Sequence, residues 1–272
     1  MTTAFVLGGG GVLGAAEVGM LRALFEADLT PDLILGTSVG ALNGAMVARD
    51  PTPAVIGRLT ELWQDAQTVR TIADRPLRTV RRAVSTGTHI YSAGPMQRRL
   101  IDEFGETTFE ELPVRLQVCA ASIERAAEHW FTSGRLVDAI MASAAVPGLL
   151  PPARVGDEHF LDGGIVNSIP LGRAVALGAE RVFVLQVGRI DRPLKVPTRP
   201  WEVARVSFEI ARRHRFAREL AEVPDGVEVH VLPARGTTRR DDSLLAHRDL
   251  SGVRNRIDAS YEASRDYLAA LR

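Results

Sequence analysis

One serine lies in a pattern typical of enzyme nucleophiles. The sequence Gly36-Thr37-Ser38-Val39-Gly40 is a G-x-S-x-G motif that follows a short apolar run and precedes a helical pattern. In that context the serine occupies a sharp strand-to-helix turn, and glycines flank it because side chains two positions away would collide. The turn would present the Ser38 hydroxyl beside a helix N-terminus, which favours developing negative charge. The alternative is a serine that only caps a helix.

A serine nucleophile needs a base, and the sequence offers two kinds. Histidine is the usual choice, but none of the six histidines lies in a setting typical of a catalytic triad: His89, His129, His159, His214, His230 and His247. A carboxylate is the alternative. Asp162 ends a strand-like run and is followed by Gly163 and Gly164, which would let another loop approach closely, although such a sequence is also typical of a simple turn.

A glycine-rich loop near the N-terminus has two interpretations. Gly9, Gly11 and Gly14 satisfy G-x-G-x-x-G, the fingerprint of a dinucleotide-binding turn. That fold also needs an acidic residue at the end of the second strand. Asp28 and Asp32 come before that strand, and the Ser38 motif follows it. The sequence therefore disfavours a nucleotide-dependent oxidoreductase, and the loop is expected to present its N–H groups to another anion.

The elements that must position these residues alternate between strand and helix, which predicts an α/β fold with a mainly parallel sheet covered on both faces. A hairpin is expected to turn at Gly156-Asp157 and to end at Asp162. The predicted strands are 4–7, 33–35, 114–120, 129–132, 181–187 and 227–232, and the predicted helices are 12–27, 136–145, 173–179, 201–220 and 244–271, with further helix in 51–110.

Bulk composition narrows the classes of function. Lys+Arg and Asp+Glu are both 33, so the net charge is zero and gives no general attraction to nucleic acid. Cys119 is the only cysteine, which excludes a disulfide framework and a cysteine-based metal site. No apolar stretch is long enough to span a bilayer and no leader pattern is present. We expect a cytoplasmic protein, with peripheral contact at the inner membrane surface as an option.

Four blocks, in this order, carry a resemblance to a known family: "GGGGVLGAAEVGML", "LILGTSVGALNGA", "ASAAVPGLLPP" and "FLDGGIVNSIP". Together they resemble the patatin-like phospholipases over about residues 7–170. The resemblance implies a three-layer α/β/α patatin-like fold. We expect one domain over residues 1–272, with a catalytic core at about 4–187 and residues 188–272 as an extension of it.

The resemblance also implies a role for each motif. Ser38 is the nucleophile and Asp162 the base of a Ser-Asp dyad, which accounts for the lack of a triad histidine. The backbone N–H groups of Gly9, Gly10 and Gly11 form the oxyanion hole. Gly36, Gly40, Gly163 and Gly164 shape the elbow and the dyad loop. No cofactor and no metal are implied.

The implied activity is that of a serine lipid acyl hydrolase of the phospholipase A, lysophospholipase or carboxylesterase type, acting through an acyl-enzyme. The alternatives are an acyltransferase or thioesterase with the same dyad, or a catalytically silent lipid-binding member. One departure concerns the head group: Val12 and Leu13 precede Gly14 where the family commonly has a basic residue. Arg22 or an arginine of the 70–99 region could substitute.

Substrate access is expected to involve the segments outside the four blocks, residues 51–110 and 189–220. In the predicted helix 201–220 an apolar face opposes several arginines; its residues are Trp201, Ala204, Phe208 and Ala211. Such a helix either packs on the protein with a solvated basic face or lies on an anionic membrane surface. The sequence leaves the oligomeric state open.

Overall fold

The structure is a computed structural model that describes residues 1–65, 88–187, 193–234 and 251–271. In this part of the chain eight strands form one sheet. The strands are β1 (Thr3–Leu7), β2 (Leu33–Thr37), β3 (Arg115–Ser122), β4 (Ala127–Phe131), β5 (Ala153–Val155), β6 (Glu158–Asp162), β7 (Arg181–Leu185) and β8 (Glu228–Val231).

The sheet is mainly parallel, as predicted. Its strand order is β5-β6-β3-β2-β1-β7-β8, and β4 pairs with β3. The central run from β3 to β8 is parallel, whereas β4, β5 and β6 join in antiparallel pairs. The predicted hairpin is confirmed as β5 and β6, with Gly156 in the left-handed region that favours glycine.

Helices cover both faces of the sheet. They are α1 (Ala15–Glu26), α2 (Val39–Arg49), α3 (Val55–Gln64), α4 (Gly94–Phe104), α5 (Leu136–Ser143), α6 (Gly164–Asn167), α7 (Leu171–Ala176), α8 (Pro200–Ala221) and α9 (Ser251–Ala269), with 3-10 helices at Gly11–Gly14 and Phe109–Glu111.

Alternation along the buried strands sends successive side chains to opposite faces, and two hydrophobic cores result. On one face Phe5 and Leu7 of β1 pack with residues of α1, α2, α3, α5 and α9. On the other, Ala4 and Val6 pack with residues of α7 and with Phe216 of α8. The three-layer α/β/α architecture expected from the sequence is therefore confirmed.

Strand β3 brings two distant parts of the chain together. Strand β4 occupies one side of its C-terminal half, from Val118 to Ser122. On the other side β2 runs parallel to β3 and ends at Thr37, opposite Cys119. Strand β6 runs antiparallel on that same side and ends at Asp162, opposite Ala120. The ends of β2 and β6 therefore meet at adjacent positions of one template strand.

Most element positions match the predictions, with differences at the ends. The first predicted helix is split, because a 3-10 turn at Gly11–Gly14 precedes α1. Strand β2 continues two residues past its apolar run, to Thr37. The middle of the 51–110 region, part of the 189–200 loop and residues 235–250 lie outside the described residues. The single-domain boundary stays a prediction.

Candidate active site

Ser38 occupies a strained turn between β2 and α2. Its backbone angles are φ 55° and ψ −120°, a combination that costs a non-glycine residue roughly 1–3 kcal/mol and persists only where the surroundings enforce it. The side chain is buried. Its Oγ donates a hydrogen bond to Oδ2 of Asp162 over 2.6 Å. The predicted elbow thus brings together the predicted nucleophile and base.

Asp162 lies at the end of β6, almost fully buried. Its Oδ1 accepts the N–H of Gly164 at 2.7 Å, while Oδ2 accepts the Ser38 hydroxyl. Burial raises the pKa of Asp162 from 3.8 to about 6, and the two hydrogen bonds limit that rise. A carboxylate with a raised pKa is a stronger base than an exposed one, and it is still ionised at neutral pH.

Ser143, at the end of α5, supports both halves of this arrangement, a role that our sequence analysis did not assign. Its Oγ accepts the Ser38 N–H at 2.7 Å and donates to the carbonyl of Cys119 at 2.6 Å. Its carbonyl accepts the N–H of Gly163 at 3.2 Å. Ser143 belongs to the "ASAAVPG" block, so the sequence carried a signal for its position without indicating its partners.

The four glycines of the elbow and the dyad loop each lie against other parts of the chain. A Cβ on Gly36 would lie 2.6 Å from Cα of Ala41, and one on Gly40 would overlap the carbonyl of Leu7. A Cβ on Gly163 would overlap the carbonyl of Cys119, and one on Gly164 would lie 2.7 Å from the ring of Phe208. Glycine is needed at these positions because backbone or ring atoms occupy the space of a side chain.

We expect Gly40→Ala to destabilise the protein strongly, because the added methyl group must displace α2 from the β1 carbonyl. The expected loss is at least about 2 kcal/mol in free energy of unfolding, or roughly 4–8 °C in Tm. The matched control is Gly57→Ala in α3, where a Cβ meets open space and the helix should gain about 0.5–1 kcal/mol. Thermal denaturation measures both; equal Tm values for the two variants would contradict this packing argument.

The glycine loop lies next to the dyad, and the structure corrects one of its three predicted donors. The N–H of Gly9 already donates to the carbonyl of Ser168 at 2.9 Å. A Cβ on Gly9 would lie 3.4 Å from Cβ of Ser38, which shows how closely the loop approaches the nucleophile. Among the described residues we find no acceptor for the N–H groups of Gly10 and Gly11. Gly11 adopts φ +57°, which glycine reaches without strain.

A family model described as Patatin-like phospholipase matches residues 5–175, well over half of the chain. The chain belongs to this family. The matched region contains the glycine loop, Ser38, Ser143 and Asp162.

Individual proteins also match the chain. The chain is 32% identical over 194 residues to Lysophospholipase nte1 of Aspergillus terreus and 31% identical over 194 residues to Lysophospholipase nte1 of Neurospora crassa. In both cases the match covers 68% of this chain but only 12% of the relative's length. Among solved structures, VipD from Legionella pneumophila aligns over 99% of this chain and 67% of its own, at 14% identity and a TM-score of 0.46.

Leu13 occupies a position at which the resemblance described above implies a basic residue. Leu13 packs at the edge of the core that contains Phe5. Arg22 is engaged elsewhere, since it pairs with Glu26 at 2.9 Å and lies over the ring of Tyr261. The arginines at positions 70–82 lie outside the described residues.

Helix α8 contacts the dyad loop of the patatin-like core through Phe208, which lies against Gly164. Its arginines do not form one solvated face, because Arg212 is buried and bonds to Glu209 and to the carbonyl of Val187. Ala211 is exposed. The side chains of Trp201 and Ala204 lie outside the described residues. The helix therefore packs on the protein, as one of the two interpretations of the sequence predicts, but Arg212 does not belong to a solvated basic face.

The described residues show neither a candidate metal site nor a helix able to span a membrane. Residues 1–65, 88–187, 193–234 and 251–271 contain no group of three or more His, Cys, Asp or Glu side chains arranged to hold a metal ion. Within the same ranges no helix combines the length and apolar character needed to cross a bilayer. Burial raises the pKa of the Cys119 thiol, so this cysteine is an inert core residue.

Proposed function

We propose that this protein is a serine lipid acyl hydrolase that uses Ser38 and Asp162 as a catalytic dyad. The observation that carries the proposal is the 2.6 Å hydrogen bond from Ser38 Oγ to Asp162 Oδ2, formed by a strained serine and a buried carboxylate. Membership of the patatin-like phospholipase family supports lipid ester hydrolysis. The names of the relatives favour lysophospholipids among the substrates.

In the first half-reaction Ser38 Oγ attacks the carbonyl carbon of the ester while Asp162 takes the hydroxyl proton. The tetrahedral intermediate collapses, the carbon–oxygen bond to the alcohol or lysolipid breaks, and Asp162 returns the proton to the leaving oxygen. In the second half-reaction Asp162 takes a proton from water, which attacks the acyl-enzyme. The fatty acid leaves and the proton returns to Ser38.

The oxyanion of the intermediate requires preorganised donors, and the glycine loop supplies the candidates. Gly10 and Gly11 are the loop residues whose N–H groups have no acceptor in the described part of the chain. Donors of this kind each contribute roughly 3–4 kcal/mol to lowering the barrier. The N-terminal end of α2, which begins at Val39, adds positive potential near the reacting oxygen.

We expect hydrolysis to lose activity in acid, because only ionised Asp162 accepts the serine proton. With a pKa of about 6 for this carboxyl, kcat/KM should rise with pH up to about 6 and then level off, falling about tenfold for each unit below the pKa. Measuring kcat/KM with a p-nitrophenyl ester from pH 4.5 to 8.5 tests this. Intrinsic fluorescence at each pH must show folded protein, and a flat profile between pH 4.5 and 7 would contradict Asp162 as the base.

The proposal as a whole is tested by the products released from defined substrates. Purified protein should release fatty acid from lysophospholipid, diacyl phospholipid or a simple carboxylic ester, and a fluorophosphonate probe should label Ser38. Acyl transfer to an added alcohol would favour the acyltransferase alternative, and preference for acyl thioesters the thioesterase alternative. A protein that neither labels nor hydrolyses any of these would be a silent lipid-binding member.

The cellular setting is part of the same proposal. A lipid substrate implies contact with a membrane or micelle surface, and α8 offers exposed Val203 and Ile210 on the element that lies over the dyad loop. Apolar side chains of this kind insert at the lipid interface. We infer a cytoplasmic location with peripheral attachment, which fractionation of cells expressing the tagged protein would test.

A further inference from the structure

A carboxyl group outside the proposed reaction lies buried next to the glycine loop. Glu17, the third residue of α1, has no exposed surface. Its Oε2 accepts a hydrogen bond from the side-chain amide of Asn43 at 2.7 Å. Its Oε1 lies within full hydrogen-bond geometry of no described group, although the nearby backbone of Gly8 opposes part of the effect of burial on the pKa of Glu17. Burying a carboxyl group costs free energy, so a glutamate at this position calls for a functional or structural explanation.

The partner, Asn43, connects four elements. Its Nδ2 donates to Glu17 and also to the carbonyl of Gly14 at 3.1 Å. Its Oδ1 accepts the indole N–H of Trp63 at 3.0 Å. Asn43 itself is fully buried in α2, five residues after Ser38. The side chain therefore links the nucleophile's helix to α1, to α3 and to the end of the glycine loop.

Gly14 forms the C-terminal end of the glycine loop and is held in place by its neighbours. Besides bonding to Asn43, it packs so closely that a Cβ would lie 2.5 Å from Cγ2 of Val39, the residue after Ser38. At the other end of the loop, the N–H groups of Gly8 and Gly9 donate to Leu185 at 3.0 Å and to Ser168 at 2.9 Å. The loop is thus held at both ends, and Gly10 and Gly11 lie between them.

We propose that Glu17, as a neutral carboxylic acid, is a positioning residue that orients Asn43 and so holds the glycine loop in register with Ser38. Burial raises the pKa of Glu17 well above its usual range, which agrees with the neutral form. In that form one oxygen accepts from Asn43 and the other carries the proton. This inference rests on the proposed function, because the loop matters only if Gly10 and Gly11 bind the oxyanion.

The test compares two replacements of the same side chain. Glu17→Gln keeps a neutral carbonyl that can accept from Asn43, whereas Glu17→Leu keeps the volume and removes the acceptor. Hydrolysis of a p-nitrophenyl ester is measured at a temperature well below the Tm of each variant. Glu17→Leu should lower kcat about tenfold or more, because small displacements of catalytic groups are costly. KM should change by less than about twofold. Glu17→Gln should restore kcat to within about threefold of the wild type.

Two further variants keep the test decisive. Phe109→Leu removes volume from a buried position in the 3-10 helix before β3 and should lower Tm without lowering kcat. Trp63→Phe removes the indole N–H donated to Asn43 together with part of the ring volume, and it should lower kcat by about twofold to fivefold. It is the milder variant to use if Glu17→Leu does not fold. The positioning role would be overturned if Glu17→Leu and Trp63→Phe both kept the kcat of the wild type. It would also be overturned if the kcat of Glu17→Gln were no higher than that of Glu17→Leu.

Running Ser38→Ala beside these variants separates the two proposals. If Ser38→Ala is inactive and the folded Glu17→Leu variant is not impaired, only the role of Glu17 is wrong. If Ser38→Ala retains activity, the proposed function itself is wrong and the inference drawn from it falls as well.

Discussion

Ser38→Ala should lower kcat/KM for any ester substrate by about 10⁴-fold or more, because the oxygen that forms the acyl-enzyme is removed. The remaining groups, Asp162 and the glycine loop, can then do no more than polarise a bound ester. The fold should be retained, but the free energy of unfolding at neutral pH should fall by about 1–3 kcal/mol, because the buried Asp162 carboxylate loses the hydroxyl that donates to it. Removing it also relieves no backbone strain, because the φ of 55° stays unfavourable for alanine.

The measurement combines hydrolysis of a p-nitrophenyl ester with labelling by a fluorophosphonate probe. Ser264→Ala is the matched control, because Ser264 is also buried and its Oγ has no partner among the described residues. That control should label and hydrolyse like the wild type. Undiminished labelling of Ser38→Ala, with the wild type labelled equally, would show that the nucleophile lies elsewhere.

The motifs that could be predicted from the sequence are those whose meaning is contained within a few residues. The elbow at Ser38 is one, because the strand, the glycines and the helix start all lie between positions 33 and 49. The hairpin that ends at Asp162 is another, with its turn residues inside the same short segment. Local sterics and turn chemistry decide such features.

What brings Ser38 and Asp162 together could not be predicted from the residues alone. The antiparallel pairing of β6 with β3, on the side where β2 ends, is a long-range choice. No periodicity in either segment specifies its partner strand, since an apolar pattern fits many neighbours. The expectation of a dyad came from the resemblance of four ordered blocks to a family, and the 2.6 Å contact supports it.

The same reason explains the details that the sequence analysis missed or misjudged. The resemblance implies that the Gly9 N–H binds the oxyanion, but this N–H donates to the carbonyl of Ser168 instead. Nothing near Gly9 in the sequence indicates that partner. The bonds of Asn43 with Glu17 and Trp63 likewise join residues that are 26 and 20 positions apart. Buried polar groups are satisfied by whatever the fold brings near, so these partners emerge only from tertiary structure.

Asp162→Asn should have two opposite effects. The amide cannot accept the serine proton, so we expect kcat to fall about 10³–10⁴-fold. Stability at neutral pH should rise, because the wild-type protein must hold a desolvated carboxylate and the variant need not. A folded-state pKa of about 6 against an ordinary 3.8 corresponds to about 3 kcal/mol at about 1.36 kcal/mol per unit.

The pH dependence of this gain distinguishes it from a general effect of the substitution. Below pH 3.8 the carboxyl is protonated in both folded and unfolded chains, and the difference in stability between variant and wild type should be smallest. Between pH 3.8 and about 6 the unfolded chain ionises first, so wild-type stability falls as pH rises. Above that range the gain should be constant.

Chemical denaturation at pH 4, 5, 6 and 7.5 measures this profile, and Asp157→Asn in the exposed β5–β6 turn is the control that should show no such gain. A difference between Asp162→Asn and wild type that does not change with pH would mean that Asp162 carries no desolvation penalty. Burial of the Asp162 carboxylate lowers the stability of the folded protein and at the same time makes this group a stronger base. The variant that abolishes proton transfer should therefore also be the more stable protein at neutral pH.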